Sequence, residues 1–184
     1  IGFDTCFGAE IEVFYEIKDC AKVAFGVEGL LGINGMDYEL LLNTFASKKQ
    51  KNIDSFIESF VTQFKRSYSV YKKAAICVVD LTKIKDLFLS FDLFCKESAS
   101  KIDTSIIRDE IKDCLLNKTN QFYYDQVDSD LYIDMDSIVT ELSKTSIATD
   151  EILTLIENYF DARNASVIDY WESEGRNGSL GVYF

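Results

Sequence analysis

The sequence predicts an α/β domain in which a sheet is covered by helices and a helical subdomain is inserted before the sheet resumes. Three observations predict it. Residues 74–79 (AAICVV) form a continuous apolar run, the pattern of a strand in a parallel sheet covered on both faces. Strand-like and helix-like stretches alternate over the first eighty residues. Helical periodicity then dominates to about residue 164, and strand-like sequence returns at 165–184. The expected organisation is therefore a sheet-forming part at 1–80, a mainly helical part packed on it at 81–164, and a closing strand pair at 165–184.

Each element has its own reason. Ile1-Gly2-Phe3 runs into a turn and reads as the last residues of a strand. Residues 9–20 place Ile11, Phe14, Tyr15 and Ile17 among Glu and Lys, a helical pattern. Residues 22–27 (KVAFGV) read as a short buried strand. Gly26, Gly29, Gly32 and Gly35 mark a loop. Residues 38–45 read as a helix. Ile53, Ile57, Val61, Phe64 and Tyr68 recur every three or four positions, and Phe56 and Phe60 widen that stripe into a longer amphipathic helix. After the strand at 74–79, Asp80 and Thr82 offer caps for a helix through Ile84, Leu87, Phe88, Phe91 and Phe94. Helices follow at about 104–116, 134–144 and 150–163. Strands at 165–171 and 180–184 are joined by a Gly175-Arg176-Asn177-Gly178 turn.

Composition bounds the function. Of 184 residues, 47% are hydrophobic, enough for a sizeable core. Mean hydropathy is near zero, and no apolar stretch is long enough for a transmembrane helix. Nineteen Lys and Arg against 31 Asp and Glu give a net charge of −12, which argues against nucleic-acid binding and suits either plain solubility or attraction of cationic ligands such as basic peptides. There is no histidine and no CxxC, so a mixed Cys/His zinc site is excluded. Of the five cysteines, Cys77, Cys95 and Cys114 lie among apolar neighbours and read as small buried hydrophobes.

Cys6 stands apart. It follows a strand end and precedes a helical stretch, where ligands of open α/β sheets bind and where helix amides favour a thiolate. Asp4, Glu10 and Glu12 oppose that by like charge, so a neighbouring cation is needed to activate the thiol. The Cys6 amide could contribute to an oxyanion hole, and Gly8 would let another backbone approach. The residues alone leave Cys6 open between a packed thiol and a nucleophile, and Asp4 between a turn residue and a functional acid.

A resemblance narrows these alternatives. Phe3-Asp4-Thr5-Cys6-Phe7-Gly8, continuing through Ile11-Glu12-Val13-Phe14-Tyr15-Glu16-Ile17, resembles the nucleophile segment of the clostripain-like peptidases, an F-D-A-C stretch followed by an I/V-E-V-A-Y-E-L helix. Gly35-Met36-Asp37-Tyr38 resembles that family's G-W-D-Y turn. Val78-Val79-Asp80-Leu81-Thr82-Lys83 is similar to its V-I-D-L-S-K, Tyr132-Ile133-Asp134-Met135 to its Y-V-D-L, and Leu180-Gly181-Val182-Tyr183-Phe184 to its closing G-L-S-I-Y-F strand. The resemblance implies a caspase-like, mostly parallel sheet flanked by helices, of which this chain would be the C-terminal portion. It implies a Cys–His dyad with Cys6 as nucleophile and backbone oxyanion donor. The histidine would come from an N-terminal light chain or segment, and the present chain would be inactive alone. Asp4 would line a pocket for Arg or Lys before the scissile bond, and Asp37 is a further candidate for that pocket. The implied substrates are peptides or proteins with Arg or Lys, and the implied location is secreted or cell envelope. No cofactor is required by this reading. Calcium, on which some relatives depend, is compatible with the acidic loops, although no EF-hand pattern is present. The alternative is a non-catalytic relative serving as a binding or adhesion module.

Overall fold

The computed structural model describes residues 1–29, 31, 35–46, 52–69, 75–118, 121–122, 132–173 and 180–183. The elements run α1 (Ile11–Glu16), β1 (Val23–Val27), α2 (Tyr38–Ala46), α3 (Ile53–Tyr68), β2 (Ala75–Asp80), α4 (Ile84–Ser100), α5 (Ser105–Asp113) with a π-helical turn at Cys114–Lys118, β3 (Gln121–Phe122), β4 (Tyr132–Asp134), α6 (Met135–Leu142), α7 (Asp150–Ser166), β5 (Val167–Glu172) and β6 (Gly181–Tyr183).

Two small sheets organise them. The first has the order β1-β2-β5, with Phe25 opposite Val78 and Cys77 opposite Tyr170. The second has the order β3-β4-β6. Side chains alternate across β1 and β2, so each face of the first sheet has its own core. Ala24, Cys77 and Val79 pack with Phe14, Leu87, Phe94, Met135 and Tyr159 from α1, α4, α6 and α7. Val27, Ile76 and Val78 pack with Ile57, Phe60, Val61 and Phe64 from α3, and with Met36. Local chemistry sets the helix starts. Asn52 and Ser55 form a reciprocal capping box on α3, and Thr104, Asp134 and Thr149 each accept an amide at the starts of α5, α6 and α7. Among the described residues no helix is long and apolar enough to cross a membrane.

Four expectations need correction. The sheet is not mostly parallel: the ladders of both sheets are antiparallel, and parallel pairing among the described residues is confined to the isolated bridges Gly2 to Phe25 and Glu10 to Gly181. The apolar run in β2 reports cover, not direction. β2 is the central strand with helices over both faces, so both of its rows must be apolar whichever way its neighbours run. The closing strands do not pair with each other: β5 adds to β2 and β6 adds to β4. The turn expected at 175–178 and Gly32 lie outside the described residues. The first helix is shorter than its pattern: Glu10 makes no side-chain cap, and the chain leaves the helix at Ile17 in a turn closed by the Cys20 amide on the Ile17 carbonyl. Finally, Asp80 does not cap α4. Its Oδ1 accepts from the Thr82 amide and hydroxyl, building a turn that delays the helix to Ile84.

Candidate active site

Residues 1–3 lie alongside β1: the Phe25 amide donates to the Ile1 carbonyl and the Phe3 amide to the Phe25 carbonyl, each at 3.0 Å. Beyond them the chain turns through Cys6, Phe7 and Gly8 and is held on the far end of β1. The Phe7 amide donates to the Gly29 carbonyl at 2.9 Å, and the Ala9 amide to the Val27 carbonyl at 3.1 Å. Phe7 sits at φ 55°, in the left-handed region that costs a non-glycine residue roughly 1–2 kcal/mol, so these bonds hold a turn the chain would not adopt alone. The approach is close. A Cβ on Gly26 would stand 2.2 Å from the Gly8 carbonyl oxygen, so glycine is what lets β1 and the turn touch.

Cys6 is half-buried at this turn. The Leu31 amide donates to Sγ at 3.3 Å, and Sγ lies 3.9 Å from the Leu31 carbonyl. The expected help from a helix N-terminus is weaker than the sequence suggests. α1 begins only at Ile11 and is six residues long, and the field of a helix end falls off within its first turn. An N–H donor from the loop after β1 stands against the sulfur instead.

Asp4 is exposed, and its carboxylate is fixed by two donors from the 35–38 turn. The Met36 amide reaches Oδ1 at 2.9 Å and the Tyr38 hydroxyl reaches Oδ2 at 2.5 Å. That bond raises the Tyr38 phenol above its ordinary range, because losing its proton would forfeit the contact and set two negative charges together. Gly35, at φ 65°, carries the turn, and the Tyr68 hydroxyl from α3 donates to its carbonyl. Asp37 lies in the same turn, exposed, with Oδ1 accepting the Leu40 amide as the cap of α2. The structure thus brings Asp4 and the Asp37 turn together through Met36 and Tyr38, and it brings Leu31 onto Cys6.

A second acidic group, missed in the sequence, lies inside the molecule. Glu28 follows β1 and is buried, and Asp134 and Asp136 are buried at the start of α6. Asp136 accepts from the Tyr159 hydroxyl at 2.6 Å and from Arg163 Nε at 3.1 Å. Asp134 Oδ1 accepts the Ser137 amide at 2.5 Å. Both Glu28 oxygens and Asp134 Oδ2 have no donor among the described residues. The two carboxyl groups face one another and can hydrogen-bond only if a proton lies between them. Burial pushes Glu28 up to about 7, with the Asp136 and Glu172 charges adding and Arg163 opposing. Burial, then the Glu28 charge, pushes Asp134 well above the usual carboxylate range. Among the described residues no group of three or more His, Cys, Asp or Glu is placed to hold a metal ion.

The sequence signals for these contacts were uneven. Tyr38 and Asp134 stood inside quoted motifs, but their partners lie far along the chain. Nothing distinguished Glu28 from an exposed loop acid.

Comparison with known proteins identifies the lineage. The family model described as the clostripain family matches residues 1–183. No curated protein matches at a significant level. Among solved structures, the chain is similar to an inactive zymogen C11 protease from Parabacteroides distasonis, at 18% identity and TM-score 0.67, covering 100% of this chain and 51% of that one. It is similar to a clostripain from Bacteroides thetaiotaomicron bound to the peptide inhibitor BTN-VLTK-AOMK, at 20% identity and TM-score 0.61, covering 100% of this chain and 73% of that one. A secreted C11 cysteine protease from the same organism, iotapain, matches at 21% identity and TM-score 0.61 over 99% of this chain and 46% of its own. The chain therefore spans about half the length of two of these three structures. With its nucleophile motif on a strand-end turn and a family match running nearly end to end, this chain belongs to the clostripain family of cysteine peptidases.

Proposed function

We propose that this chain supplies the nucleophile and the basic-residue pocket of an endopeptidase that cleaves after Arg or Lys. The observation that carries the reading is the placement of Cys6 and Asp4 on one turn, with the thiol half-buried and the acid exposed and held by the Met36 amide and the Tyr38 hydroxyl. A carboxylate has about four lone-pair positions. Met36 and Tyr38 take one on each oxygen, which leaves one on each for the parallel N–H pair of a guanidinium or for an ammonium.

The chemistry follows from that placement. The Cys6 thiolate attacks the carbonyl carbon after the basic side chain, the amide nitrogen leaves with a proton, and water then hydrolyses the thioester and restores the thiol. Amides at the turn, that of Cys6 first, would face the oxyanion. The family resemblance assigns the proton to a histidine; this chain has none, so on this reading the base belongs to a segment or chain N-terminal to it. On this reading the chain is inactive alone and acts as the C-terminal part of a caspase-like catalytic domain. Export is the matching location, consistent with a relative described as secreted.

The test is hydrolysis of fluorogenic peptides ending in Arg, Lys or Asp by the protein together with its histidine-bearing segment. Turnover after Arg and Lys should vanish in Cys6→Ala, and Asp4→Asn should cut it by about tenfold or more while sparing alkylation of Cys6. Activity that survives Cys6→Ala, or equal turnover after Asp, would remove the proposal.

A further inference from the structure

The buried acids hold more negative charge than the interior can carry. Among the described residues Glu28, Asp134 and Asp136 meet one cation, Arg163, and Asp136 already engages it together with Tyr159. The groups facing Glu28 are Asp134 at the end of β4, Asp136 on α6, Arg163 on α7, Glu172 on β5 and the Cys77 thiol on β2. Only Arg163 among them is cationic. Three ionised carboxylates and one guanidinium would bury two uncompensated charges, at a cost comparable with the stability of a whole domain. A proton shared by Glu28 and Asp134 removes one of those charges and gives the orphaned oxygens their hydrogen bond.

The position of Glu28 gives that proton a consequence. The carbonyls on either side of it hold the nucleophile turn: Val27 accepts the Ala9 amide and Gly29 accepts the Phe7 amide. Gly181 of β6 closes the same place, donating to the Ala9 carbonyl at 3.0 Å, and a Cβ added there would stand 3.7 Å from Glu28 Cγ. The end of β1 therefore cannot move without releasing Phe7, whose left-handed backbone needs that bond.

We propose that the Glu28–Asp134 carboxyl pair shares one proton and acts as a pH-sensitive latch on the nucleophile turn. With the proton in place, the end of β1 stays seated and residues 6–8 stay pinned. When the proton leaves to solvent as pH rises, Glu28 turns toward water and the Phe7–Gly29 hydrogen bond opens. The bearing of the latch on catalysis rests on Cys6 being the nucleophile; the latch itself does not.

The test is hydrogen exchange of the peptides covering 1–13, read by mass spectrometry from about pH 5 to pH 9 in the wild type, Glu28→Gln and Asp134→Asn. In the wild type, protection at Phe7 and Ala9 should fall by up to about tenfold per pH unit as pH rises from about 5 to about 7 and level off above, beyond the intrinsic rise of exchange with pH. In Glu28→Gln the side-chain amide donates to Asp134 without a titrating proton, so the excess should vanish. The same excess in Glu28→Gln, or none in the wild type, overturns the latch. Should both variants fail to fold, infrared spectra of the wild type decide. A protonated-carboxyl band should persist at about pH 6, where exposed acids are ionised, and fade as pH rises through about 7. Its absence at that pH also overturns the proposal. Neither readout uses hydrolysis, so the latch and the peptidase reading can fail separately.

Discussion

Asp4 and Glu28 stand at opposite ends of the same short stretch of backbone pairing, and the fold treats them in opposite ways. Asp4 is exposed and accepts two donors, the Met36 amide and the Tyr38 hydroxyl. Glu28 is buried and accepts none among the described residues, although Val27 and Gly29 beside it hold the turn at Cys6. A carboxylate in water with donors in place is ready to meet a cationic ligand at little cost. A carboxyl group sealed among Asp134, Asp136 and Cys77 can be tolerated only with a proton. On the proposed readings the same functional group would serve as a recognition element at Asp4 and as a proton store at Glu28, and the difference would lie in access to donors.

The strongest way to break this contrast is to remove the one cation that the buried group has among the described residues. Arg163 and Asp136 are 13% and 7% exposed at their side chains, with Nε 3.1 Å from Oδ2. Arg163→Met would keep the bulk of the chain against Tyr170 and leave Asp136 charged and uncompensated. Breaking a buried pair from one side costs about 3–5 kcal/mol. Urea unfolding should show a loss of that size at neutral pH, and it should shrink as the pH is lowered and the acids take up protons. A loss under about 1 kcal/mol would mean that the cluster is hydrated rather than buried.

A second test sharpens the contrast through pH. The folded pKa of Glu28, about 7, lies above its ordinary 4.5. Stability from this group is therefore fully present below about pH 4.5 and is lost as pH rises toward 7. At ~1.4 kcal/mol per pH unit the loss amounts to about 3 kcal/mol. Glu28→Gln should flatten this part of the stability profile, so that wild type and variant are close at pH 4.5 and the variant is the more stable at pH 8. Denaturant midpoints across that range measure it. Parallel profiles for the two proteins would show that Glu28 does not titrate there.

The two acids were also unequally legible. Asp4 and Cys6 were singled out on a local signal: they sit two residues apart where a strand-like stretch runs into a turn. Glu28 was not, because its burial is made by residues more than a hundred positions away on β4, α6 and α7. The fold divides along the same line. α3 was readable from its periodicity, and β2 from its apolar run. The direction of β2's neighbours was not, because a central strand covered on both faces looks the same in parallel and antiparallel company. The second sheet was not legible because β3 and β4 have two or three residues each, too few to show alternation, so β6, expected as a strand, was given the wrong partner.

The smallest expected effect tests how Asp4 is held. The Tyr38 hydroxyl and Asp4 lie 34 positions apart in the chain, and the bond between them is exposed. Tyr38→Phe removes one exposed donor and leaves the Met36 amide in place, so folding stability should barely change. What should change is direction. With a single donor on Oδ1, the carboxylate can rotate, and a guanidinium loses its fixed pair of acceptors more than an ammonium loses its single one. In the assembled peptidase, Tyr38→Phe is expected to lower kcat/KM for Arg substrates by several-fold more than for Lys substrates, and added salt should not restore the difference. Equal losses on both would place Tyr38 in the packing of the 35–38 turn, and no loss on either would mean that the Met36 amide alone suffices to aim Asp4.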